Sequence, residues 1–213
     1  MKITINNADM KIKDGKVYIE FDADKLADLM NEGKVALSTL NPGDKFMIGD
    51  ERFVVLEHTE DGVRIVSDEF AFSDKTFGDS NDWRVSYVRD LLSENGEYYR
   101  KIASIVGEEN IIPMFRDLTS LDGLDDYGSC VDKISLMTAA EYAKYHKILG
   151  LKSNYTDWQW LITPASTPSN DYSRYVCYVN SNGILLWNDC DYTCGVRPFL
   201  TLESSVLVLA DNS

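Results

Sequence analysis

The stretch NSNGILLWNDCDYTCGVRPF, residues 180–199, joins two kinds of sequence. Its last five residues read as a frame. Pro198 biases Arg197 toward extended geometry, Gly195 permits a sharp entry, and Val196 and Phe199 can pack inward. Arg197 itself reads as a buried hydrogen-bonding anchor to backbone or to an acidic side chain, in preference to an anion site. The fifteen residues before the frame mix Asn, Asp, Tyr, Cys and Trp with neither clean strand alternation nor a catalytic pattern. Asn182-Gly183 is a hairpin signal, so YVCYVN and ILLW on either side of it read as paired antiparallel strands.

Working outward, DWQWLITPAS reads as another strand and VRPFLTL as the closing one. Over residues 133–150, KISLMTAAEYAKYHKILG gives a short strand and then a helix. Thr138 is its N-cap, Glu141 completes a capping box, and Gly150 is the stop. Upstream, WRVSYVRDLLSENGEYYRKIASIVG places Val85, Val88, Leu91 and Leu92 at helical spacing, with Ser86 as cap and Gly96 as a break. Before that, Pro42-Gly43, Gly49-Asp50 and Asp61-Gly62 cut residues 40–72 into a meander of short strands. In residues 1–37, ITINNADMKI and KVYIEFD flank the turn signal Asp14-Gly15, and Asp22 or Asp24 can cap KLADLMNEG, which stops at Gly33. The pattern predicts an α+β chain with two helices and short antiparallel sheets in residues 38–213, preceded by a small hairpin-helix module over 1–37.

The bulk properties narrow the job. The chain has 213 residues, 44% hydrophobic and 11% aromatic, enough for one good core. A net charge of −14 sets long-range repulsion against nucleic-acid phosphates and anionic membranes, so neither is an expected partner. MKITINNADMKIKDGK has no uninterrupted apolar run, so neither a secretory signal nor membrane insertion is expected, and synthesis in the cytoplasm is the default. Cys130, Cys177, Cys190 and Cys194 are then expected as free thiols. With His58 and His146 as the sole histidines, the Cys190/Cys194 pair lacks the partners of a zinc site.

The ordered set GDKFMIG, ERFVVL, WRVSYVRDLL, SLMTAAEYAKY, WQWLITPAS and GVRPFL resembles bacterial and phage domains ending in Gly-Val-Arg-Pro, related to the C-type-lectin-like and formylglycine-generating-enzyme-like fold. The resemblance covers about residues 38–202 and leaves 1–37 outside. It implies a C-type-lectin-like fold whose last strands and loops face a ligand. Several relatives are variable proteins of diversity-generating retroelements, whose C-terminal segment is rewritten by adenine-directed mutagenesis. Randomised AAC or AAT codons yield Asn, Asp, Tyr, Ser, Cys, Ile, Leu and others, but never Lys, Glu, Gln, Met or Trp. Fifteen of the twenty-four residues 171–194 are Asn, Asp, Tyr, Ser or Cys, and residues 161–202 contain no Lys, Glu, Gln or Met. Trp187 departs from the scheme. Ordinary loops also favour Asn, Asp, Ser and Tyr, which leaves a fixed surface open.

The expected function is ligand or receptor binding through segment 171–194. The contact residues are Tyr172, Tyr175, Cys177, Tyr178, Asn180, Asn182, Ile184, Leu186, Trp187, Asn188, Asp189, Asp191, Tyr192 and Cys194. Tyrosines and Trp187 supply amphipathic area at low entropic cost, and Asn and Asp supply adaptable hydrogen bonds, as in antibody paratopes. The partner is a protein or glycan on a cell surface, with residues 1–37 attaching the domain to a virion such as a phage tail, or to its own copies. A fixed virion or surface protein of the same fold is the alternative.

Enzymes and metals rank lower. A copper-dependent formylglycine-generating oxidase would need a reactive cysteine pair, for which Cys190 and Cys194 are the candidates, but no catalytic residues and no cofactor are expected. Glu108-Glu109 and Asp125-Asp126 sit in charged runs, where solvated faces are the better reading. Trp187-Asn188-Asp189 resembles the Trp-Asn-Asp of calcium-dependent C-type lectins. Their Glu-Pro-Asn partner motif is missing, TPSND at 167–171 is a poor substitute, and the acidic stretch from Asp122 to Gly128 reads as a solvated loop, so no metal site is expected.

Overall fold

The computed structural model describes residues 9–13, 16–20, 31–149 and 158–211. The chain divides into two compact units, Met1–Lys34 and Val35–Ser213. In the first, β1 (Asp9–Lys13) pairs antiparallel with β2 (Lys16–Glu20), and the Lys13–Lys16 pairing leaves two residues to connect them. The Asp14-Gly15 turn itself, and most of the helix expected over residues 25–33, lie outside the described residues.

The second unit runs β3 (Lys34–Ala36), β4 (Lys45–Ile48), β5 (Glu51–His58), β6 (Val63–Ser67), β7 (Phe72–Thr76), α1 (Tyr87–Leu92), α2 (Glu97–Val106), β8 (Ile111–Ile112), β9 (Met114–Asp117), β10 (Ser129–Asp132), β11 (Ile134–Ser135), α3 (Ala139–Leu149), β12 (Gln159–Pro164), β13 (Tyr175–Val179), β14 (Leu185–Asp189), β15 (Thr193–Val196), β16 (Phe199–Leu202) and β17 (Leu207–Asp211). The larger sheet has the order β11-β16-β6-β5-β4-β17-β3, with β8 also on β16; a five-stranded sheet has the order β14-β13-β12-β15-β7; β9 and β10 form a separate pair. Strands β12 and β15 pair in parallel, whereas β12–β13, β13–β14, β15–β7, β16–β6, β17–β4, β4–β5 and β5–β6 are antiparallel. The α+β class and antiparallel sheets therefore stand.

The two expected helices are α1 and α3, and α2 is added after the Gly96 break. Ser86 caps α1 by accepting from the Arg89 N–H at 3.1 Å, and the chain turns through Ser93–Gly96 before α2 begins. Helix α2 then buries Tyr98, Tyr99 and Ile102 on one face. The capping box of α3 forms as read: the Glu141 N–H donates to Thr138 Oγ1 at 3.0 Å, and Glu141 Oε2 accepts from the Thr138 N–H at 2.7 Å. Glu141 also takes both Nη groups of buried Arg116, at 2.9 and 2.6 Å, which ties the start of α3 to β9.

The frame lies where the chain passes from the smaller sheet to the larger, since β15 ends at Val196 and β16 begins at Phe199. Arg197 is buried there and donates from Nε to the Ser67 carbonyl at 2.6 Å, while the Ser67 N–H donates to the Pro198 carbonyl at 2.9 Å. The backbone anchor read for Arg197 is thus present. Gly195 serves differently from the expectation of a sharp entry: a Cβ there would lie 2.5 Å from the Phe70 ring, so close packing requires the glycine. In the core, Trp83, Phe77 and Trp160 form a buried aromatic run, with Phe77 6.0 Å from Trp83 and 5.7 Å from Trp160. Their indoles are satisfied, Trp83 donating to Asp132 and Trp160 to the Lys75 carbonyl, each at 2.7 Å. Among the described residues no helix is long and apolar enough to cross a membrane.

Candidate functional site

The hairpin β13–β14 is built around its turn. Gly183, at φ +74°, takes the left-handed position and donates its N–H to the Asn180 carbonyl at 2.9 Å. Asn180 Oδ1 accepts from the N–H groups of Asn182 (2.9 Å) and Ile184 (3.0 Å), so the Asn180 side chain is committed to the turn. From α3, the Tyr142 hydroxyl donates to the Gly183 carbonyl at 2.9 Å and fixes the tip.

Register sorts the side chains onto two faces, because directly paired residues share a face. Tyr175 with Asp189, Cys177 with Trp187 and Val179 with Leu185 lie on one; Val176 with Asn188 and Tyr178 with Leu186 lie on the other. On the first face Tyr175 has the Tyr172 ring 5.5 Å away at 38° and the Trp187 ring 5.4 Å away at 79°. With Ala165, Ser166 and Asn170 these three rings line an open depression of about 260 Å³. On the second face Trp158 is stacked with Tyr178, at 4.7 Å, and with Tyr192, at 6.0 Å.

Behind the depression the 166–172 loop is tied down by groups that the sequence reading missed. Fully buried Asn81 donates from Nδ2 to the carbonyls of Ser166 (2.9 Å) and Tyr175 (3.0 Å) and accepts from the Tyr127 hydroxyl at 2.6 Å. Asp122 accepts from Ser166 Oγ at 2.6 Å, and Asp126 accepts from the N–H and hydroxyl of Ser169, each at 2.8 Å. Both carboxyls are held below the ordinary Asp range, Asp122 by the Ser120 and Ser166 hydroxyls and Asp126 by Ser169. The acidic stretch is therefore the brace of this loop, although a solvated one. Ser-Asn-Asp at 169–171 and the paired acids Asp125-Asp126 were visible in sequence, but only as a poor substitute for a calcium motif and as a solvated face.

At the end of β14, Arg174 donates to Asp189 from Nε at 3.0 Å and from Nη2 at 2.7 Å, and also pairs with Asp191. This hydrogen bonding holds the Asp189 carboxyl below its ordinary range. Asp189, Cys190 and Asp191 present three ligand atoms within 4.8 Å of one another. A cation there would displace Arg174 and meet a thiol that burial pushes up to about 11. Cys177 and Cys194 are pushed up to about 12 by burial, and all four cysteines are free thiols. Protonated at neutral pH, they are poorly disposed as nucleophiles.

Of the expected contact residues, Tyr172, Asn182, Ile184, Leu186, Trp187, Asp191 and Tyr192 are exposed, and Tyr175, Asn180, Asn188 and Asp189 are half-buried. Cys177, Tyr178 and Cys194 are buried, against the expectation that they face solvent. The reason is that β13 lies inside its sheet, between β12 and β14, as β15 does between β12 and β7, and Val176–Val179 and Cys194–Val196 are covered on both faces.

Residues 118–204 match the model of a family described as a domain of unknown function (DUF6273). That span is less than half of the chain; it takes in α3, the hairpin, the depression and the frame, and leaves out β4–β7, α1 and α2. Comparison with curated proteins and with solved structures gave no match.

Proposed function

We propose that the β13–β14 hairpin and the 166–172 loop form a recognition surface for a ligand, protein or glycan, carried by another cell. The observation that carries this is the exposure of Ile184 (52%) and Trp187 (57%) on the hairpin, and of Tyr172 (52%) and Tyr192 (53%) just before and after it, with the hairpin tip fastened to α3. Large apolar groups kept in water on a rigid support are what an interface offers. Neutral adaptable groups, Asn182 and Asn188, lie among them.

The scaffold is read as C-type-lectin-like from the order of its segments and its Gly-Val-Arg-Pro close. On that reading the exposed positions are those a diversity-generating retroelement would rewrite, in a phage or bacterial variable protein. Trp187, which a randomised AAC or AAT codon cannot produce, is then a constant ring within the surface. The burial of Cys177, Tyr178, Cys190 and Cys194 favours a second reading, a fixed virion or surface protein of the same fold, because part of the adenine-like composition belongs to the core.

The test replaces Tyr172, Ile184, Leu186, Trp187 and Tyr192 together with Ser and measures binding of the labelled chain to a panel of bacterial cells and to a glycan array. Wild type should bind at least one target and the five-site variant none, with cooperative thermal unfolding retained. Equal binding by a folded variant would remove the hairpin as the recognition surface.

A further inference from the structure

We propose that the depression between Tyr172, Tyr175 and Trp187 receives a quaternary or methylated ammonium group. This rests on the hairpin being a recognition surface and gives one of its pockets a ligand chemistry. An aromatic face is electron-rich, and several faces set at angles can surround a compact cation, whereas a sugar ring is received on one flat platform with several hydrogen bonds. Here Tyr172 and Trp187 stand at 38° and 79° to Tyr175, within 5.5 Å of it.

The lining explains why the cation is alkylated. Apart from the rings it consists of Ala165, Ser166 and Asn170. Ser166 Oγ already donates to Asp122 at 2.6 Å, and Asn170 Nδ2 is directed to the same carboxylate at 3.5 Å. A primary ammonium brings three N–H donors that must be met, while a trimethylammonium group brings none and presents methyls to rings and to Ala165. At about 260 Å³ the depression suits a headgroup better than a whole drug-sized ligand.

Charge agrees with this assignment. Asp122 lies directly behind the two polar lining residues, Asp126 braces the same loop, and Asp171 sits between Asn170 and Tyr172 in the chain. The adjacent guanidinium of Arg174 is engaged by Asp189 and Asp191. Among the described residues the internal cation–π pairs fall on Tyr127, Phe199, Tyr99 and Tyr145, on none of the three rings of the depression. The chain as a whole carries −14.

The experiment titrates the full-length ¹⁵N-labelled chain with choline, tetramethylammonium, the neutral choline isostere 3,3-dimethylbutan-1-ol, and methyl glucoside. The readout is the Trp187 indole N–H resonance, assigned with Trp187→Phe. Choline and tetramethylammonium should shift it saturably, and the isostere should bind roughly tenfold more weakly or not at all. Tyr172→Ala, at an exposed position, should weaken choline binding by roughly threefold to thirtyfold without unfolding the chain, and Asp122→Asn should weaken it too. Equal binding of the isostere, or saturation by methyl glucoside alone, would overturn the assignment, as would no saturable shift with either cation. If the cations fail while the five-site Ser variant still loses cell or array binding, the ligand class is wrong and the recognition surface stands. If the cations bind but that variant keeps its cell or array binding, the pocket stands and the wider surface falls.

Discussion

Tyr178 and Tyr192 both stack with Trp158, at 4.7 and 6.0 Å, yet Tyr178 is 6% exposed and Tyr192 53%. Truncating each to Ala therefore separates burial from stacking. Tyr178→Ala removes a buried ring that also meets Trp160 edge-on at 6.4 Å, and should cost about 3–5 kcal/mol, the range for large aromatic deletions in cores. For a domain of this size that lowers the melting temperature by roughly 6–20 °C. Tyr192→Ala gives up one stacked contact on a half-exposed ring, about 1 kcal/mol, or ~2–4 °C. Thermal unfolding followed by circular dichroism measures both. Equal losses, or a larger loss at Tyr192, would refute the placement of β13 inside its sheet and with it the division of the hairpin into core and contact positions.

Arg197→Ala should lower stability by about 3–5 kcal/mol in urea titration, because it removes the bond to the Ser67 carbonyl and a buried cation 4.0 Å from buried Asp68; a change under about 1 kcal/mol would contradict its role in the frame. Burial pushes the Glu141 carboxyl up, but hydrogen bonding and charge from Arg116, with the Thr138 bonds, outweigh this and leave it below its ordinary value. Its contribution is therefore present above the unfolded value of about 4.5 and is lost as the pH falls through the lower folded value. Acid titration of stability should consequently be steeper for the wild type than for Glu141→Gln below about pH 5, and superimposable curves would count against the Arg116 pair. Calcium should leave the melting temperature unchanged, since Arg174 already pairs with both Asp189 and Asp191; a rise reversed by chelator would make Asp189–Asp191 a metal site.

Local signals were legible in the sequence where one turn of chain decides the structure. Thr138 with Glu141 specifies the start of α3, and Asn182-Gly183 specifies the hairpin, because both act through backbone groups within four residues. Burial of Cys177 and Tyr178 was less accessible. The continuous run Tyr175–Val179 is the pattern of an interior strand, but its polar and sulfur-bearing members resemble a surface list. Asn81 leaves no local signature at all, since its partners Ser166 and Tyr175 lie 85 and 94 residues away and only the fold brings them together. The aromatic depression falls between these cases. Its rings were read as contact residues, whereas the loop that closes it, with Asp122 and Asp126 behind it, depends on a tertiary contact across more than forty residues.

The most direct test of a replaceable recognition surface is to read the DNA flanking the gene. On the proposed function a reverse transcriptase gene and a near-identical template copy of the 3′ coding segment should lie close by. Differences at template adenines should concentrate in the codons of Tyr172, Asn182, Ile184, Leu186, Asn188, Asp191 and Tyr192, and should spare Tyr178, Gly183, Gly195, Val196, Arg197 and Pro198. A locus with no template repeat, or with substitutions spread evenly over buried frame and exposed face, would contradict the claim and leave a surface of fixed specificity.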